Sequence, residues 1–314
     1  MLTRYVFLLS LLFACPSARA DVTSGRWSIG LSMSGGLPVI AAKIEGREEP
    51  IRLVVDTAAG GTILDSTLAN LLNLGVDGSI QVEGAGGTSS AQRAAKPTFL
   101  TIGSNLKLQV QPILTDMSRF SKEGISYDGI LGNDVLSRFD MRFDVPAGQL
   151  IMASPGASPA LLEDLRCADN LRSTRSGPAL AGFTMLDMTV KLEGPKAGSA
   201  IARAVLDTGA MVTIINPKAA GALGVVEGDD RLKPVKRVRG MGQADVRTEI
   251  LEPTEVAFSG ITIADASVRV SELPVFEILG LADAPAAILG IDLLRHIPIG
   301  TTAGAEKVCF GERP

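Results

Sequence analysis

The chain has 314 residues, of which 46% are hydrophobic and 4% aromatic, and its formal net charge is −4. This length suggests about two domains, and the low aromatic content means that their cores are aliphatic. A net acidic chain without a basic run argues against nucleic acid and anionic membrane surfaces as partners.

Residues 1–20 have the pattern of a signal peptide. Arg4 precedes the apolar stretch Tyr5–Cys15, and Ala18–Ala20 is a small-x-small cleavage site. The apolar stretch is too short for an ordinary membrane span. We therefore expect a mature protein without a transmembrane segment that is periplasmic or secreted. A lipoprotein site at Cys15 is the alternative.

A short apolar run that ends in Asp-Thr occurs twice in the chain. Residues 53–64 contain Val-Asp-Thr-Ala-Ala and residues 204–215 contain Leu-Asp-Thr-Gly-Ala, with Asp56 and Asp207 at corresponding places. An ionised Asp at the end of a buried strand is costly unless nearby donors satisfy it. The repetition indicates an internal duplication with one acidic turn in each copy.

The two acidic turns predict a pair of interacting carboxyls if the copies meet about a two-fold axis. Two carboxylates about 4 Å apart repel by roughly 4 kcal/mol at an effective dielectric near 20, so Asp56 and Asp207 would share one proton. Such a pair offers one base and one acid to a single water, which suits attack on a peptide carbonyl. The alternative is that both are capping acids in a duplicated β module.

An apolar-apolar-glycine element follows each acidic turn, as Ile130-Leu131-Gly132 in the first copy and Ile288-Leu289-Gly290 in the second. With these elements the sequence resembles aspartic peptidases of the retropepsin and pepsin superfamily, of a bacterial exported type with two units in one chain. In that family the glycine element passes behind the catalytic turn, where only glycine allows the backbones to approach.

The resemblance implies an all-β fold with short helices. Two retropepsin-like closed β-barrel units would form a bilobal, pepsin-like monomer with an internal pseudo-two-fold axis. The expected division is a signal peptide at 1–20, an N-terminal unit at 21–152, a linker at 153–181 and a C-terminal unit at 182–314. Short helices are predicted at four places, two in each unit: Ser66–Leu72, Asn133–Phe139, Pro217–Leu223 and Ile291–His296.

The resemblance also implies roles for the residues of the two turns. Asp56 and Asp207 would share a proton and activate water, and Thr57 and Thr208 would lock the turns together. The backbones of two further residues, Ala58 and Gly209, would orient the carboxylates. The implied function is an aspartic endopeptidase that acts on peptide or protein substrates.

Ala58 departs from the family pattern, because the family has glycine there. Its methyl group matters if the turn requires a positive φ or very close packing. A tolerated variant and a unit drifting toward inactivity are both compatible with the sequence. Ala58 therefore keeps open an alternative function, a catalytically weak or inactive peptide-binding module of the same fold.

Each copy also has a glycine-rich hairpin tip, with Gly84, Gly86 and Gly87 in the first and Gly240 and Gly242 in the second. In the family, hairpins at this place close over the substrate as flaps, and glycine makes such a tip mobile. An ordinary exposed hairpin turn is the alternative. The sequence thus predicts paired flaps that bind an extended peptide.

The remaining polar candidates have structural interpretations. Cys167 and Cys309 are the cysteines left after cleavage, so an exported chain predicts a disulfide between them, with two buried thiols as the alternative. His296 is the only histidine, so we expect no metal site, and no cofactor is implied. Asp134 and Asp292 are predicted to cap helices or accept structural hydrogen bonds.

Overall fold

The computed structural model describes residues 25–85, 87–118, 127–169, 183–194, 196–235, 246–252 and 255–312. The predicted signal peptide lies outside these ranges. The protein is mostly β with short helices, as expected for the all-β class. None of the helices within the described ranges is long and apolar enough to cross a lipid bilayer.

Strands of the first half follow one another along the chain, and in β7 and β8 burial alternates as a two-residue period requires. They are β1 (Arg26–Ser34), β2 (Leu37–Ile44), β3 (Ile51–Val55), β4 (Ile63–Asp65), β5 (Val76–Gly84), β6 (Gly87–Ala94), β7 (Thr98–Ile102), β8 (Leu106–Val110), β9 (Ile113–Thr115), β10 (Gly129–Leu131), β11 (Asp140–Asp144), β12 (Gln149–Ala153) and β13 (Arg166–Asp169).

The second half repeats much of this order. Its strands are β14 (Met185–Leu192), β15 (Gly198–Leu206), β16 (Ile214–Ile215), β17 (Lys233–Pro234), β18 (Glu249–Leu251), β19 (Glu255–Phe258), β20 (Ile261–Ala264), β21 (Val268–Val270), β22 (Ala286–Leu289), β23 (Ile299–Thr301) and β24 (Lys307–Phe310). The helices of the chain are α1 (Ser66–Leu71), α2 (Asn133–Leu136), α3 (Ser158–Leu162), α4 (Pro217–Ala222), α5 (Pro274–Ile278) and α6 (Ile291–Leu294).

The four predicted helices are confirmed as α1, α2, α4 and α6, although each is shorter than expected. Asp65 caps α1 by accepting from two amides of its first turn, and Asn216 caps α4 through the amide of Ala219. The segment predicted as a linker also contains regular structure, because α3 and β13 lie within it.

The strands form two sheets. The first runs in the order β13-β24-β23-β11-β12-β1-β2-β3-β10-β4-β9-β6-β5, with β7 and β8 attached to β2. The second runs in the order β17-β18-β21-β16-β22-β15-β14-β19-β20. The final strands β23 and β24 therefore belong to the sheet of the first half, where β23 pairs with β11 and β24 with β13.

The expected closed barrels are not found in the part of the chain that the structure describes. The first sheet stays open because β1 divides its pairing. Its residues 26–30 bond to β12 and its residues 31–34 bond to β2. Beyond β1 the sheet therefore continues through β12 and β11 to the C-terminal strands β23 and β24. The second sheet begins at β17 and ends at β20, and these two end strands do not pair with each other.

Cys167 and Cys309 lie opposite each other on β13 and β24 and form a disulfide. Cys309 is fully buried against Leu161, Leu162 and Leu165. The disulfide links the edge strand β13 to its neighbour β24, and the two cysteines are 142 residues apart in the sequence.

Candidate active site

Each acidic residue follows directly on a buried strand. Asp56 comes after β3 and Asp207 after β15, and each of these strands has a parallel neighbour, β10 and β22 respectively. The amide of Asp56 donates to the carbonyl of Leu131 at 3.1 Å, and the amide of Asp207 donates to that of Leu289 at 3.0 Å. The two acids are therefore held in the same way by corresponding pairs of strands.

The glycine elements pass behind the acidic turns at close range. A Cβ on Gly132 would lie 2.5 Å from the carbonyl oxygen of Gly61, and a Cβ on Gly290 would lie 2.6 Å from the carbonyl carbon of Val212. Real Cβ atoms do not approach backbone atoms this closely, so both positions require glycine. The structure thus supplies the physical reason for the repeated apolar-apolar-glycine pattern.

Reciprocal hydrogen bonds between Thr57 and Thr208 join the two turns. Each threonine amide donates to the hydroxyl oxygen of the other threonine at 3.1 Å. The hydroxyl of Thr57 donates to the carbonyl of Leu206 at 2.8 Å, and the hydroxyl of Thr208 donates to that of Val55 at 2.7 Å. Both side chains are buried, and this four-bond unit connects the halves at their acidic turns.

The carboxyls of Asp56 and Asp207 interact, and each shifts the pKa of the other. One oxygen of Asp56 accepts from the amides of Ala58 at 2.8 Å and Ala59 at 2.9 Å. One oxygen of Asp207 accepts from the amide of Gly209 at 2.9 Å. A Cβ on Gly209 would overlap the Asp56 carboxyl, so the second turn and the first carboxyl are in direct contact.

Burial raises the pKa of both carboxyls above the ordinary value for Asp. For Asp56 the rise is opposed by the amides of Ala58 and Ala59 and by the hydrogen bond with Asp207. Burial raises the pKa of Asp207 well above its usual range, and the charge of Asp56 raises it further. The pair therefore holds a proton at pH values where an isolated Asp would be ionised.

Ala58 fits its turn without strain in φ, since its φ is not positive. Its methyl group packs against a cluster formed by Met185, Val205 and Leu279 of the second half. The backbone conformation of this turn therefore accommodates alanine as well as glycine. The methyl group instead adds an apolar contact between the halves.

Asp134 and Asp292 accept structural hydrogen bonds from threonines. The hydroxyl of Thr62 donates to Asp134 at 2.8 Å. The hydroxyl of Thr213 donates to Asp292 at 2.7 Å, and its amide donates at 2.9 Å. The structural interpretation of both acids is confirmed.

Three polar residues of this region were missed by sequence reasoning. Thr62 and Thr213 each stand six residues after an acidic residue, so alignment of the two copies could have identified them. Asn133 donates from its side-chain amide to the carbonyl of Thr57 at 2.6 Å. No repeated pattern marks it, because the corresponding residue of the second copy is Ile291.

The predicted flap of the first half is a hairpin formed by β5 and β6, in which Gly84 pairs with Gly87. Ala85 at its tip packs against an apolar cluster that contains Phe276 and also borders Ala210, the residue after Gly209. The tip thus rests on an apolar cluster of the second half. Gly86 lies outside the described residues, as do Gly240 and Gly242 of the second tip.

No group of three or more His, Cys, Asp or Glu side chains within the described ranges is arranged to hold a metal ion. Backbone amides instead donate to the two carboxyls, those of Ala58 and Ala59 to Asp56 and that of Gly209 to Asp207. Each amide bonds to one oxygen of its carboxyl and stabilises the ionised form. The arrangement can exchange protons with a water or a carbonyl oxygen placed between the two acids.

No curated protein matches this chain at a significant level. Residues 40–135 match the family model described as aspartyl protease. The matched range includes Asp56, Thr57 and Gly132, and it ends before Asp207. This match supports an aspartic protease-like family for the chain and suggests a protease-type function.

Proposed function

We propose that the protein is an aspartic endopeptidase that hydrolyses peptide bonds with a water activated between Asp56 and Asp207. The observation that carries the proposal is the reciprocal pair of threonine bonds, which joins the two acidic turns and places the carboxyl of Asp56 against Gly209, two residues after Asp207. Two capping acids of a duplicated module would have no reason to meet in this way. The match to the aspartyl protease model supports the same chemistry.

The proposed reaction needs only one proton on the pair at the start. The ionised carboxyl takes a proton from water as its oxygen attacks the peptide carbonyl carbon, and the protonated carboxyl gives its proton to the carbonyl oxygen. The tetrahedral diol then collapses. Its nitrogen receives a proton from one carboxyl, the carbon-nitrogen bond breaks, and the other carboxyl recovers a proton from the diol. The pair ends with one proton, as it began.

The substrate is proposed to be an extended peptide or protein segment. The β5–β6 hairpin rests on the apolar cluster of the second half that Ala210 also borders, and β5 is the end strand of its sheet. An extended peptide could pair with such a strand edge. Paired flaps remain a prediction, since the second tip falls outside the described residues. No cofactor is required by this chemistry.

We also infer a two-unit organisation with an internal pseudo-two-fold axis and an exported, periplasmic or secreted location. The equivalent strands, glycine elements and threonine contacts of the two halves support the first inference. The disulfide supports the second, because such bonds persist in oxidising compartments. The halves contact each other within one chain, which supports a monomer.

The direct test uses the chain from residue 21 onward, screened against a peptide library from about pH 3 to pH 7, a range that brackets titration of a carboxyl pair. We expect cleavage by the wild type and a loss of at least about a hundredfold in Asp56→Asn and Asp207→Asn. Asp164→Asn is the matched control, because this exposed carboxyl lies on a surface ion pair with Arg142.

Peptide binding without cleavage in the wild type would contradict the proposal. It would favour the alternative function, a peptide-binding module of the same fold. Cleavage that survives in both Asp56→Asn and Asp207→Asn would show that another group performs the hydrolysis.

A further inference from the structure

The two acidic turns share their main-chain geometry but differ in one buried side chain. The residue after each glycine element donates its amide to the carbonyl two residues beyond the threonine, at 2.8 Å in both halves. In the first half this residue is Asn133 and in the second it is Ile291. Asn133 is 5% exposed and Ile291 is 1% exposed, so neither side chain exchanges its contacts for water.

The side chain of Asn133 makes a hydrogen bond that Ile291 cannot make. Its amide donates to the carbonyl of Thr57 at 2.6 Å. That carbonyl belongs to the same peptide unit as the amide of Ala58, which donates to the carboxyl of Asp56 at 2.8 Å. Asn133, this peptide unit and Asp56 therefore form one continuous hydrogen-bonded chain. Ile291 has no donor and packs in the hydrophobic core.

Hydrogen bonds in series polarise one another, most strongly where water is excluded. A donor on the carbonyl of Thr57 draws electron density from the peptide unit and makes the amide of Ala58 a better donor to a carboxylate. The corresponding amide of Gly209 bonds to Asp207 at 2.9 Å, and the residue that corresponds to Asn133 gives it no such support. The ionised form is thus stabilised more at Asp56 than at Asp207.

We propose that Asn133 is a positioning residue that breaks the symmetry of the pair, so that Asp56 is the ionised base and Asp207 holds the shared proton. In the hydrolysis, Asp56 takes the proton of the attacking water, and Asp207 gives its proton to the peptide carbonyl oxygen. This inference rests on the proposed function, since it assigns the acid and base roles of the same pair.

Burial raises the pKa of both carboxyls, and backbone amides oppose the rise at each, those of Ala58 and Ala59 at Asp56 and those of Gly209 and Ala210 at Asp207. The difference between the two turns is therefore the side-chain donor of Asn133. The titratable group that faces each carboxyl is the other aspartate. The carboxyls of Asp134 and Asp292 are bound to threonines behind the turns.

The experiment isolates one carboxyl at a time, so that the shared proton does not mix the two titrations. In the full mature chain carrying Asp207→Asn, carbon NMR of labelled Asp follows the titration of Asp56. Adding Asn133→Leu is expected to lower the acid dissociation constant of Asp56 about threefold. Ile291→Leu, a similarly conservative change at the corresponding position, is the control and should leave that constant unchanged.

The converse substitution tests the same idea in the other half. In a chain carrying Asp56→Asn, Ile291→Asn should raise the acid dissociation constant of Asp207 about threefold. If Asn133→Leu does not fold, Asn133→Ser removes the same donor with a smaller polar side chain. An unchanged titration of Asp56 in the Asn133 variant that folds would overturn the inference. Because these titrations need no substrate, a wild type that fails to cleave peptides would defeat the proposed function alone.

Discussion

Replacing Thr208 with valine tests the contact that joins the two acidic turns. Valine has almost the same shape as threonine, but it cannot donate to the carbonyl of Val55 or accept from the amide of Thr57. Thr208 is fully buried, so water cannot replace either bond. The substitution leaves one buried carbonyl and one buried amide without these partners.

The expected cost follows from those two groups. An unsatisfied buried donor or acceptor costs about 1–3 kcal/mol, so two of them should lower the free energy of unfolding of Thr208→Val by about 2–6 kcal/mol. Thr208→Ser is the matched control. It keeps the hydroxyl and removes one methyl group, which costs about 1 kcal/mol.

Equilibrium unfolding in urea, followed by tryptophan fluorescence, measures this difference. Trp27 is the only tryptophan of the chain, and its ring packs edge to face on Phe139 with centroids 5.8 Å apart. The probe therefore reports loss of the first sheet. A Thr208→Val protein that is destabilised no more than Thr208→Ser would refute the claim that the reciprocal bonds hold the halves together.

Four further predictions concern the acids and the turns. The raised pKa of Asp207 means that the native state loses stability as pH rises through that pKa. Asp207→Asn should therefore be more stable than the wild type at neutral pH, and urea midpoints should converge on acidification. Arg142 lowers the pKa of Asp164, so the ionised carboxyl stabilises the native state. Asp164→Asn should therefore be less stable than the wild type at neutral pH, and this difference in stability should disappear as pH falls through the lowered pKa. Gly209→Ala should reduce the rate of peptide cleavage more than tenfold. The added Cβ would overlap the Asp56 carboxyl and displace it, and a small displacement of a reacting group lowers the rate strongly. Ala58→Gly should retain cleavage and lower the free energy of unfolding by about 1 kcal/mol, since it removes a packed methyl group.

Much of the candidate site could be predicted because it depends on short local patterns that occur twice. Asp56 and Asp207 stand at the ends of apolar runs, and Gly132 and Gly290 stand where the backbone must pass closely behind them. Each of these features has a physical cause that acts within a few residues. Repetition then distinguishes the pattern from a chance occurrence of Asp-Thr.

The features that could not be predicted depend on contacts between distant segments. The side chain of Asn133 reaches the first turn only because β10 lies parallel to β3, and its sequence neighbours give no sign of that contact. The closed barrels were expected from resemblance, but the divided pairing of β1 is decided by β12, more than a hundred residues later. Tertiary pairing of this kind has no local signature.

The placement of β23 and β24 has a consequence for how the protein is made. One edge of β11 stays unpaired until residues 299–301 have been synthesised, because they form its partner β23. The amide of Ala303 then donates to Asp140 at 2.8 Å. During synthesis the first half must therefore wait, with one strand edge uncovered, until nearly the whole polypeptide has left the ribosome. Such an edge is a template for aberrant association, so assistance from a chaperone would be needed most during that interval.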